Sequence, residues 1–134
     1  MDLFSVVYVA SPEESKAMAE AGADAIIAHV GTTIGGTIGV TAAAITLDES
    51  VKRVQAIIDA GRRVRKDIIF LSHGGPIATP ADAAYINERT DAVGFVGASS
   101  LERLAVEGSL TELTQKFKKI PLRKEAIKAI RFGR

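Results

Sequence analysis

The sequence predicts an α/β fold of four consecutive strand–helix units, half the complement of a closed (β/α)8 barrel. Three observations predict it. Four short runs, residues 6–9, 25–30, 68–71 and 93–96, are apolar and rich in Val, Ile or Phe. They do not alternate with polar residues, which is the pattern of parallel strands covered on both faces. A helix-start signal follows each run, and strand–helix alternation favours a parallel sheet with right-handed crossovers. Residues 1–120 divide into units of roughly 30 residues each, where a full barrel of eight takes about 250. An open four-stranded, doubly wound parallel sheet is the alternative architecture.

The helices follow in order. Ser11-Pro12-Glu13-Glu14 offers an N-cap serine, a proline at the first helical position and a glutamate at the third, and Gly22 is placed to end that helix in a left-handed turn. Thr46-Leu47-Asp48-Glu49 is a second capping box and opens a long segment with Leu47, Val51, Val54 and Ile58 on one stripe. Thr79-Pro80-Ala81-Asp82 repeats the signal and leads to Glu88. Beyond the fourth run, Ser99-Ser100-Leu101-Glu102 predicts a short helix, with Glu102 in its capping box and Gly108 as its stop. Ser109-Leu110-Thr111-Glu112 then starts another, with Leu110, Leu113 and Phe117 expected to face inward. Residues 121–134 form a basic tail in which Arg123, Lys124, Lys128, Arg131 and Arg134 outweigh Glu125. The three-residue spacing of Ile127 and Ile130 suits a solvated terminal helix.

Composition narrows the function classes. The chain has 134 residues, 47% hydrophobic and 25% charged, with 17 basic and 16 acidic side chains for a net charge of +1. This balance leaves no electrostatic footprint for nucleic acid. It contains no cysteine, which excludes disulfides, thiolate catalysis and zinc–thiolate sites. The opening apolar run lacks a basic leader and no stretch is long enough to span a bilayer, so the expected location is cytoplasmic with no membrane partner.

Three loops follow the second, third and fourth strand runs. Residues 31–46, GTTIGGTIGVTAAAIT, are uncharged and unusually long for a loop in a compact α/β unit. The backbone of Gly35 and Gly36 allows close approach to an anion, although the glycine spacing is not that of a dinucleotide fingerprint and no cofactor is expected. Ser72-His73-Gly74-Gly75-Pro76 follows the third run, and Gly97-Ala98-Ser99-Ser100 follows the fourth and leads into the short helix. Barrels commonly hold phosphate between their last two strand-end loops and a short extra helix, so Gly74, Gly75, Gly97, Ala98, Ser99 and Ser100 are ligand-binding candidates. A tight-turn role is the other reading of these glycines. Arg103 is placed where its guanidinium could clamp an anion.

His29 and His73 close the second and third runs, at the strand end where barrel chemistry occurs. They are the catalytic candidates, as acid or base. Hydrogen bonding to neighbouring loops is the structural alternative, and without accompanying carboxylates no metal site is expected.

The stretches AEAGADAIIAHVGTTIGGTIG, LSHGGPIATPADAAYI and GFVGASSLERLAVE, in that order, resemble the phosphoenolpyruvate hydrolase-like family of TIM-barrel proteins. The likeness runs from about Val6 to Lys119 and corresponds to the second half of that family's barrel. The resemblance implies a TIM-barrel fold and a phosphorylated three-carbon acid, or something similar, as ligand. It carries over His29, Gly35, Gly36, His73, Gly74, Gly75, Gly97, Ser99 and Ser100 as site candidates.

Three functions are open at this stage: a weak hydrolase or lyase for a phosphoenolpyruvate-like substrate, a metabolite-sensing module with the same loops, and a purely structural half-barrel. All three expect self-association. A lone half-barrel leaves two parallel edges and an apolar inner face uncovered, and a twofold homodimer, or a dimer of dimers, closes them.

Overall fold

The computed structural model describes residues 3–121 apart from positions 38 and 43. The basic tail expected over 121–134 lies outside the described residues except for Pro121. Among the described residues the elements are β1 (Val6–Val9), α1 (Pro12–Glu20), β2 (Ala25–His29), α2 (Leu47–Arg62), β3 (Ile69–His73), α3 (Pro80–Asn87), α4 (Ser99–Glu102) and α5 (Leu104–Lys118). The strands form one parallel sheet in the order β1-β2-β3, with Val6 beside Ala25 and Ala25 beside Ile69. This is the α/β class expected, arranged as half of a TIM barrel.

Local chemistry sets the helix ends. Ser11 caps α1 by accepting from the Glu14 amide, and the Glu14 carboxylate reaches back to the Ala10 amide at 2.6 Å. At the other end Gly22, at φ +95°, closes a Schellman turn in which the Ala23 amide bonds the Met18 carbonyl at 3.0 Å. Both Thr46–Glu49 and Thr79–Asp82 form complete capping boxes.

The core lies between sheet and helices. Val9, Ile26, Ala28 and Phe70 meet Val54, Ile57 and Ile58 in one buried cluster. The two crossover helices touch directly, since Ser15 Oγ donates to the Ile57 carbonyl at 2.7 Å. Gly61 permits this approach: a Cβ there would lie 2.7 Å from Phe70 Cζ and 2.8 Å from Ser15 Oγ. With α1 and α2 side by side on one face, the sheet is not doubly wound. Residues of the other parity on the outer strands, Val6, Tyr8 and Ile69, stay substantially exposed.

The C-terminal quarter departs from expectation in four ways. The run at 93–96 does not become a full strand. It lies parallel beside β3, bonded through Val93 N to Phe70 O, Ser72 N to Gly94 O and Val96 N to Ser72 O, but only Phe95 forms a bridge, with Ser72. Gly94 supplies no side chain to pack, and the His73 ring takes the Val96 carbonyl at 2.7 Å, so the ladder stops there. Gly108 does not stop a helix; α5 runs straight through it, and one glycine costs an exposed helix only about 1 kcal/mol. Glu102 forms no capping box, because α4 begins after Ala98 with no side-chain cap. Leu110, Leu113 and Phe117 do not face inward. They are 60%, 53% and 65% exposed, because among the described residues no strand lies beyond residues 93–96 for α5 to cover.

Candidate functional site

The parallel register brings the two histidines together. His29 and His73 are paired residues at the ends of β2 and β3, and their ring centroids are 5.1 Å apart. Tyr8 of β1 sits edge-on to both, at 5.9 Å from His29 and 5.2 Å from His73. These three rings, with Val9, Ala10 and Glu14, line an open hollow of about 420 Å3 at the C-terminal ends of the strands.

Backbone contacts decide which ring nitrogen carries each proton. The Val96 carbonyl can only accept, so His73 Nδ1 donates to it, and in the uncharged ring Nε2 is left as a base. At His29 the roles reverse: Nδ1 accepts from the Gly31 amide at 3.3 Å, which leaves Nε2–H as a donor. A base and a donor therefore stand side by side. Burial, and next the neighbouring His73, lowers the pKa of His29, which favours its uncharged form.

Tyr8 and Glu14 were not singled out from the sequence. Tyr8 has the parity that faces away from the helices, and a polar-tipped ring there was the available signal. Glu14 reads as a capping residue, but the β1–α1 connection is so short that the first turn of α1 lies at the strand end. Its carboxylate places negative charge on one side of the hollow. Among the described residues no group of three His, Asp or Glu side chains could hold a metal ion.

The glycine loops are placed as follows. Gly74 and Gly75, at φ +81° and +57°, stitch the loop after β3 to the loop after β2. The Gly75 amide donates to the Gly31 carbonyl at 2.6 Å, and the Gly75 carbonyl accepts from the Ile34 amide at 3.2 Å. His29 Nε2 faces Gly74. Gly35 donates to the Val40 carbonyl at 3.0 Å, and its own carbonyl accepts from both Arg103 Nη1 and Nη2 at 3.1 Å. Glu107 completes this latch, accepting from the Thr37 amide at 2.9 Å and pairing with Arg103 at 3.0 Å. The Thr37 amide, and next Arg103, hold Glu107 below the usual carboxylate range. Gly36 lies against the same two side chains, leaving no room for a Cβ. The latch ties the long loop to the start of α5. The loop 97–100 begins one residue after the carbonyl that holds His73, whereas Ser100 turns towards α3.

Residues 1–120 match the phosphoenolpyruvate hydrolase-like family. The chain belongs to that family. Two curated tomato (Solanum lycopersicum) relatives, the ToMV susceptible protein tm-1(GCR26) and the ToMV resistance protein Tm-1(GCR237), are each 51% identical to it over 123 residues. That alignment takes in 91% of this chain and 16% of each relative, so the chain spans a small part of the length of these relatives. A bacterial relative, the "Putative transcriptional regulatory protein y4pA" of Sinorhizobium fredii (strain NBRC 101917 / NGR234), is 27% identical over 119 residues, 89% of this chain and 19% of its own length. No helix among the described residues is long and apolar enough to cross a membrane.

Proposed function

We propose that the chain is half of a barrel mouth that binds a small phosphorylated acid of the phosphoenolpyruvate type once a second copy closes the barrel, and that it hydrolyses this ester slowly. The observation that carries the reading is the histidine pair: two imidazoles in register, fixed by backbone as one base and one donor, open to a hollow at the catalytic end of the strands. In hydrolysis, His73 Nε2 would take a proton from the attacking water. The water oxygen forms the new bond to phosphorus while the enolate leaves, takes up a proton and becomes the keto acid. His29 Nε2–H would steady the phosphate or enolate oxygen. The phosphate would sit away from the Glu14 carboxylate, which repels it.

Closure by a second copy is supported by the two parallel edges that no described residue pairs, at β1 and at 93–96, and by four units being half of eight. Light scattering at micromolar concentration should give twice the mass of the chain. A monomer at every concentration would overturn closure by a second copy, and would point instead to completion by another chain. For the chemistry, phosphorus NMR should show inorganic phosphate released from phosphoenolpyruvate, slowed about 100-fold in His73→Gln. Release that persists unchanged in both His29→Asn and His73→Gln would remove the histidines from the reaction and leave a metabolite-sensing module.

A further inference from the structure

We infer that α5 is an association arm that pairs, side by side and antiparallel, with α5 of a second copy. Five large apolar residues, Val106, Leu110, Leu113, Phe117 and Ile120, stand exposed along it or just past its end. They follow one another at intervals of four, three, four and three residues. That alternation repeats every seven residues and lines up one narrow seam, the pattern by which a helix meets another helix. A helix laid on a sheet shows a wider apolar stripe. The main neighbours of α5 are α4 and the long loop, and both leave the seam open.

Charge selects both the partner and the orientation. The start of the arm is acidic, with Glu102, Glu107 and Glu112, of which Arg103 offsets one. Its end is basic, with Lys116, Lys118 and Lys119. A parallel pair would set like charge against like. An antiparallel pair centred near Leu113 sets each acidic half on the basic half of the other copy, so the arm is complementary to itself. Glu112 and Lys116 are exposed and bonded to each other at 2.6 Å, which places them on one flank of the seam. The antiparallel pair brings Glu112 of each copy to Lys116 of the other. Five such apolar side chains from each of two copies present roughly 1,000 Å2, the lower bound of a specific interface, so the association is weak.

This pairing does not rest on closure of the barrel. In a barrel closed by two copies the α5 helices follow opposite strands and stand on opposite sides, so they do not meet within it. The seam joins one barrel to the next, or two open halves.

Because the chain has no cysteine, single cysteines report the contact directly. Under mild oxidation near millimolar protein concentration, Leu113→Cys should cross-link to itself. Val106→Cys and Ile120→Cys should not cross-link alone and should do so when mixed. Light scattering at that concentration should give twice the mass found at low micromolar concentration, where closure of the barrel is read separately. Leu113→Glu should remove this doubling. Glu112→Lys should weaken it about tenfold, and Lys116→Glu added to Glu112→Lys should restore it. Thermal melts establish that each variant folds. Absence of a Leu113→Cys cross-link, self-cross-linking of Val106→Cys and Ile120→Cys, or a doubling that persists in Leu113→Glu would each overturn the antiparallel pair. So would a lower melting temperature in Leu113→Glu in a chain that never doubles, because the seam would then be covered within one copy, by residues 122–134.

Discussion

Two long helices of this chain, α2 and α5, both carry apolar residues at helical spacing and reach opposite outcomes. Around α2 an amphipathic stripe is laid on β1–β3, and Val54 and Ile58 are fully buried. Around α5 only the first turn is covered, by the long loop, while Leu110, Leu113 and Phe117 beyond it stay exposed and no residue of the helix is buried. The difference lies in neighbours rather than in helix chemistry. A crossover helix in a parallel sheet covers the two strands it connects, so α1 and α2 each have a complete bed. The last helix needs the strand that comes next, and among the described residues no such strand follows it. The reduced pairing at 93–96 has the same origin: an edge strand holds neighbours on one side only, and Val93 is left 70% exposed.

Matched substitutions at the two ends sharpen the comparison. The largest effect is expected at Phe70, which is buried beneath Gly61. Phe70→Ala should cost about 3–5 kcal/mol in urea unfolding, whereas Phe117→Ala should change the stability of the isolated chain by less than about 0.5 kcal/mol. A large loss in Phe117→Ala that grows with protein concentration would mean that α5 is covered by another copy. An equally large loss without concentration dependence would overturn the contrast.

Two helical glycines provide a second pair. At Gly61 a Cβ would press on Phe70 and Ser15, while at Gly108 it would meet nothing within 4 Å. Gly61→Ala should destabilise by about 1–3 kcal/mol. Gly108→Ala should stabilise by roughly 0.5–1 kcal/mol, read as a raised melting temperature. A destabilising Gly108→Ala would show that α5 is packed after all, and a stabilising Gly61→Ala that α2 has room there.

The smallest effect is electrostatic. His29 takes up a proton below its ordinary value near 6.5 because burial, and next His73, disfavours the charged ring. The unfolded chain binds that proton first as the pH falls. The contribution of neutral His29 is therefore full above about pH 6.5 and lost as the pH drops from there through the lowered folded value. Melting temperature should fall more steeply between about pH 7 and pH 5 in the parent chain than in His29→Asn. Parallel curves would show that the ring is not held uncharged by its surroundings.

Much of the site was legible because parallel strands place chemistry at one end. Two histidines that each close an apolar run had to emerge on the same rim. Their tautomers were not legible, since these depend on the Val96 carbonyl and the Gly31 amide, far from one ring and two residues from the other. The roles of the long loop's glycines were also hidden. Gly36 makes room for Arg103 and Glu107, a contact across about 70 residues that no loop composition announces.

By itself the sequence determined the strand–helix alternation, the helix starts at Thr46 and Thr79, the left-handed stop at Gly22 and the parallel class. Each of these rests on interactions within a few residues or on the period of an apolar run. Only the tertiary structure decided that the fourth strand thins to a bridge, that α5 runs through Gly108 with its stripe uncovered, and that Tyr8 and Glu14 join the histidines. These depend on which surface stands opposite, and burial is a property of pairs of surfaces that one stretch of sequence does not carry.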